Sequence, residues 1–140
     1  MKEIQITKFL GLTKAADNTL ALPFTDRVKN HVDTVHAAAQ FCLAEAASGS
    51  SLESAFPEYI GKVFAVVRKA EIKYSFPAQT ELKASASVEE DEILKANEEL
   101  VKRKRALIDV HVSLLDTEGQ KTFSGLFQWF VQILDGTDRT

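Results

Sequence analysis

Val35-His36-Ala37-Ala38-Ala39-Gln40-Phe41-Cys42-Leu43-Ala44-Glu45-Ala46-Ala47 stands apart from the rest of this chain. Alanine is the best helix former, and neither Gly nor Pro interrupts the run. Asp33 or Thr34 can cap the front, and Gly49 is placed for a C-terminal cap. A helix is therefore predicted over 35–47. Its only polar residues are His36, Gln40 and Glu45, so it has no broad polar face. A helix apolar nearly all round belongs inside a core, and its small side chains let other backbone come close.

Downstream, four stretches alternate with period two, the mark of half-buried strands. Over 68–76, Ala70, Ile72, Tyr74 and Phe76 oppose Lys69, Glu71, Lys73 and Ser75. Over 81–88, Leu82, Ala84, Ala86 and Val88 share a face; over 105–115, Ala106, Ile108, Val110, Val112 and Leu114 do. Residues 122–134 bring Phe123, Phe127, Trp129, Val131 and Ile133 together, more as a core or dimer contact than as a base-stacking platform. Asp116-Thr117-Glu118-Gly119 joins the last two strands as a hairpin. Upstream, 3–10 is weakly amphipathic and suits a short helix, and Asp17-Asn18 marks a turn between 12–16 and 19–24.

A second helix is expected over 89–104. Ser87-Val88-Glu89-Glu90 fits a capping box, and acids at the front with Lys102, Arg103 and Lys104 at the end complement the helix dipole. Asp91–Lys95, Glu98–Lys102 and Glu99–Arg103 have favourable spacing for ion pairs. Ile93, Leu94, Leu100 and Val101 supply an apolar stripe, so this is a solvated helix packed on the sheet; the alternative is a basic docking patch for a phosphorylated ligand. The expected architecture is α+β: one antiparallel sheet with the apolar helix against its concave face.

The chain has 140 residues, 17 Lys and Arg against 20 Asp and Glu, and 45% apolar residues. One domain over 1–140 is expected, burying roughly two-thirds of the unfolded chain's surface. The apolar helix fills its centre, so little interior is expected for an enclosed site. A net charge of −3 argues against a general nucleic-acid partner. No stretch suits a bilayer span, and no signal peptide is visible, so a cytoplasmic protein is expected. The single cysteine, Cys42, makes no internal disulfide, and no Cys/His spacing suits zinc. No Ser-His-Asp order, P-loop or dinucleotide fingerprint occurs. His31 and His111 are isolated, and Cys42 lacks a nearby base, so a structural role is expected for it.

The chemistry centres on Glu45. A carboxylate in so apolar a helix is costly to bury ionised, and a raised pKa suits general-base work on water. The plainer alternative is a Glu45 that faces solvent or forms a structural ion pair. His36 lies nine residues earlier, on the opposite side of the helix and roughly 13 Å away along its axis. The two cannot act on one reacting centre from one helix, so they serve two sites, or one site built by two chains.

Asn30, His36 and Glu45, with Tyr74-Ser75-Phe76-Pro77-Ala78 further on, resemble the hotdog-fold acyl-CoA thioesterases. More closely, the chain resembles a branch of them known only as thioesterase-like. The family's Asn, its His six residues later and its acid nine residues after that all have counterparts here. The resemblance implies a sheet wrapped around the central helix and a homodimer or dimer of dimers. It also implies an acyl-CoA-type substrate, with CoA entering only as part of it and no cofactor. Glu45 would be the base or nucleophile, the backbone amide of Ala37 the oxyanion donor, and Asn30 and His36 positioning groups, with carboxylate and amide from different subunits. Three positions depart from the family: Ala37-Ala38 replaces Gly-Gly, Asp33 stands where Gly is frequent, and Val67 occupies a position where some relatives carry a hydroxyl. A catalytically silent dimer that binds an acyl or other apolar ligand is the alternative, and a hydratase-type hotdog a weaker one.

Overall fold

The computed structural model describes residues 4–17 and 19–135. Its elements are α1 (Gln5–Leu10), β1 (Thr13–Lys14), β2 (Leu20–Leu22), α2 (Ala37–Ala55), β3 (Val63–Tyr74), β4 (Leu82–Ser87), α3 (Glu90–Arg103), β5 (Arg105–Leu115) and β6 (Lys121–Ile133). The strands form one antiparallel sheet in the order β1-β2-β4-β5-β6-β3, with α2 packed on β4, β5, β6 and β2. The turn expected at Asp17-Asn18 falls partly outside the described residues, but Asp17 Oδ1 accepts from the Thr19 amide at 3.0 Å.

The alanine-rich run is a helix, though a longer one than expected. It extends for 19 residues and passes straight through Ser48-Gly49-Ser50-Ser51. Gly49 is not its cap. The Ser48 hydroxyl donates to the Glu45 carbonyl (2.7 Å) and accepts from the Trp129 indole N–H (2.9 Å), so this turn of helix is pinned to β6. The helix ends at Phe56, where Pro57 blocks its continuation. At the front the cap is His36, not Asp33 or Thr34.

Ala39, Leu43, Ala44 and Ala47 are buried against the sheet. Alanine brings α2 close enough for Phe123 and Phe127 to fill the space beneath it, Phe127 meeting Phe41 edge-on at 5.3 Å. A second cluster joins the end of α2 to α3 and β5 through Leu52, Phe56, Leu100 and Ile108. Gln40 is buried too, and its Oε1 accepts from the Thr122 hydroxyl at 3.0 Å.

Two elements depart from expectation. β3 begins at Val63 rather than at residue 68, because a bulge at Arg68 shifts the register between Val67 and Lys69. Val63, Ala65 and Val67 face inward before it, and Ala70 and Ile72 after it, so the alternation changes phase and hides the first half from a period-two search. The strand ends at Tyr74, leaving Phe76 exposed. In α3 the cap is Glu89 without a side-chain bond, so the capping box does not form. The three expected ion pairs are likewise not among those of the described residues. Leu94 and Val101 are exposed, and the buried positions are Ala96 and Leu100, with Ile93 half-buried. The small Ala96 carries the stripe where larger neighbours were expected to. Glu92 reaches across to accept the Asp109 amide at 2.8 Å, on the part of β5 that β4 leaves unpaired.

The Gln40–Thr122 bond has a measurable consequence. Thr122→Val leaves the buried Gln40 oxygen without its donor and should cost about 1–3 kcal/mol in urea unfolding. Gln40→Leu combined with Thr122→Val should recover most of that loss. Purely additive losses would show that the pair carries no coupling.

Candidate functional site

The start of α2 is held by a tight loop. Asn30 uses both ends of its amide within it: Oδ1 accepts from the amides of Val32 and Thr34, each at 3.0 Å, and Nδ2 donates to Thr34 Oγ1 at 2.7 Å. Asp33 takes the left-handed conformation (φ 62°) that closes the loop, which is where glycine is at ease. His36 then caps the helix, its Nδ1 accepting from the Ala38 amide at 2.9 Å. In a neutral ring that leaves the proton on Nε2, on an exposed side chain.

Two further contacts clasp this corner. The Val35 amide donates to the Ala78 carbonyl (2.8 Å), and the Tyr74 hydroxyl donates to the Ala37 carbonyl (3.2 Å). The Tyr74–Ala78 element thus positions the front of α2, a role its sequence pattern marked without explaining. Ala37 is the first helical residue, and among the described residues its N–H has no partner. A free, solvent-facing amide at the positive end of a helix suits a developing oxyanion.

Glu45 is elsewhere. It stands on the wall of a cavity of about 960 Å³ between α2, α1 and the first half of β3, lined mainly by apolar residues such as Leu12, Phe56, Val63 and Trp129. The cavity is half open to solvent, a cleft of ligand size along the side of α2 rather than an enclosed interior site. Partial burial pushes the Glu45 carboxyl above the usual carboxylate range, and among the described residues no ion pair holds it. Cys42, one turn earlier, is half-buried; burial first and the Glu45 charge second raise its thiol, which disfavours the reactive thiolate. Asn30, His36 and Ala37 do not line the chamber. The structure therefore gathers three of the four candidate residues at the front of α2 and leaves Glu45 on a separate wall.

Sequence inspection overlooked the residues that share that wall. Gly49 and Glu53 follow Glu45 at four-residue steps on one face of α2, and Lys14 is the single cation among the lining residues. The spacing was visible, but it meant nothing until the helix proved to run past Gly49. His111 lies well away, exposed, with Nε2 3.7 Å from Glu89 Oε1.

The model of one protein family, described as a domain of unknown function (DUF4442), matches residues 13–131. The chain belongs to that family. No curated protein matches it. Among solved structures it is similar to a protein of unknown function from Chlorobaculum tepidum (TM-score 0.82, 16% identity, covering 94% of this chain and 88% of that one). It is also similar to a Bacillus halodurans protein solved with CoA (0.72, 21%, 93% and 77%) and to a Haemophilus influenzae thioesterase (0.72, 14%, 96% and 87%). These likenesses identify the fold as the hotdog. Among the described residues, no helix is long and apolar enough to cross a membrane.

Because Glu45 holds its proton more tightly folded than unfolded, it weakens the fold as pH rises through the ordinary carboxyl range to its raised value, and fully above that. Glu45→Gln should therefore be more stable than wild type at neutral pH and indistinguishable from it in acid, read by denaturant midpoints across pH. His36→Ala should lose the cap and about 0.5–2 kcal/mol, while His36→Asn retains it.

Proposed function

We propose that this DUF4442 chain hydrolyses an acyl thioester of the acyl-CoA kind, acting as a homodimer. The observation that carries this is an unpaired carboxylate with a raised pKa on the wall of an apolar chamber. The thioesterase and the CoA-bound protein among its structural likenesses support the same reading.

Glu45 acts as base or nucleophile. As base, its carboxylate takes a proton from water while the oxygen adds to the thioester carbonyl, whose negative charge falls on the Ala37 amide. The adduct collapses, the C–S bond breaks, and the thiolate leaves with the proton, giving an acid and a thiol. Within one chain Glu45 lies eight residues along α2 from the Ala37 amide, roughly 12 Å down the axis, too far to share one reacting centre, so the amide comes from a second copy. β3 offers the edge for it: 12 residues long, at the end of the sheet, with Phe64 and Val66 exposed. Asn30 and His36 position the amide through the loop and the cap.

Release of free thiol from a panel of acyl-CoAs is expected, with Glu45→Gln lowering kcat by about 10²–10⁴. Proline is well tolerated as the first helical residue, so Ala37→Pro deletes the oxyanion amide without breaking α2. It should lower kcat by about 10²–10³. Mixing the two inactive variants should restore part of the activity, since each mixed dimer carries one intact site. A mixture that stays silent would refute a site shared between chains. Saturable binding by wild type without any turnover would favour the silent acyl-binding dimer, which Ala37-Ala38 in place of two glycines also suits.

A further inference from the structure

Gly49 sits in the middle of a 19-residue helix, where glycine is a poor choice for helix stability. Its reason lies across the gap. A Cβ at this position would come within 3.3 Å of Trp129 Cη2 and Cζ2. The indole cannot easily retreat, because its N–H is fixed on Ser48 Oγ at 2.9 Å. Gly49 and Trp129 both line the chamber that Glu45 faces, and beyond them its wall is apolar: Leu52, Phe56, Leu100, Ile108 and Val131. From Glu45 to Phe56 the wall follows α2 for eleven residues, roughly 16 Å at 1.5 Å each.

We infer that Gly49 sets the bore of an acyl-chain channel, letting the Trp129 indole lie back against α2 so that an aliphatic chain of several carbons can run from Glu45 toward Phe56. The inference rests on the thioester reading and names its substrate class. The lining charges agree with it: Lys14 is outnumbered by Glu45 and Glu53, so the chamber suits hydrocarbon and repels the phosphates of a nucleotide. A side chain at position 49 would push the indole into the lumen or occupy the lumen itself. Short acyl groups would still fit, and longer ones would not.

Trp129 is the only tryptophan in the chain, so its fluorescence reports directly on the chamber. The experiment titrates butanoyl-, hexanoyl-, octanoyl- and decanoyl-CoA into Glu45→Gln, which spares the ligand from hydrolysis. With Gly49 present, a saturable change in emission is expected, with affinity rising about fourfold per added methylene. With Gly49→Leu added, butanoyl-CoA should bind as before and the rise with chain length should stop. Gly49→Ala, a better helix former, guards against a variant that fails to fold, and it should give a shallower rise than glycine. An unchanged chain-length dependence in a folded Gly49 variant, or calorimetric binding that leaves Trp129 emission unmoved, overturns the inference. Length-dependent binding in the absence of wild-type hydrolysis would overturn the proposed activity and leave the channel standing.

Discussion

How near α2 can lie to the sheet governs the rest of this molecule. Alanines on its buried face set that distance, and Phe123 and Phe127 on β6 fill what remains. Two polar bonds then fix the helix against sliding: Gln40 to Thr122 near its front, and Ser48 to Trp129 near its middle. Interiors pack at crystal-like density, so a helix carrying larger residues here would lift away and empty the core. The same closeness leaves a chamber along the side of α2 that the sheet does not fill, with Glu45 on its wall.

Much of this was legible in the sequence. The β5 alternation is reproduced residue by residue, with Ala106, Ile108, Val110, Val112 and Leu114 all buried. The hairpin turn is where its residues put it, with Gly119 left-handed and Asp116 Oδ1 accepting from the Glu118 and Gln120 amides. What escaped has a common cause. Gly49 and Ser48 carry local stop signals that long-range packing overrides, and Arg68 conceals the first half of β3 by reversing its phase. On α3, charge spacing promised ion pairs that solvent-facing side chains do not hold, in keeping with how little such pairs contribute.

The candidate site divides along similar lines. The spacing of Asn30, His36 and Glu45 was readable, and so was the angle that keeps His36 and Glu45 apart. The form of the loop was not: Asn30 is consumed by backbone contacts and Asp33 by a left-handed turn, and both depend on dihedrals that composition does not reveal. The chamber was invisible altogether, because cavities arise between elements rather than within any one of them.

The two margins of the sheet are very unequal. On one side the strands dwindle, from the 11 residues of β5 through 6, 3 and 2 in β4, β2 and β1. α3 covers part of the step this leaves, with Glu92 occupying a backbone donor that would otherwise invite a partner. On the other side β3 lies open along its whole length. Strand addition is thus directed to a single margin. When two like margins join about a twofold axis both are used up, so growth by this route halts at a pair instead of running on into a fibril.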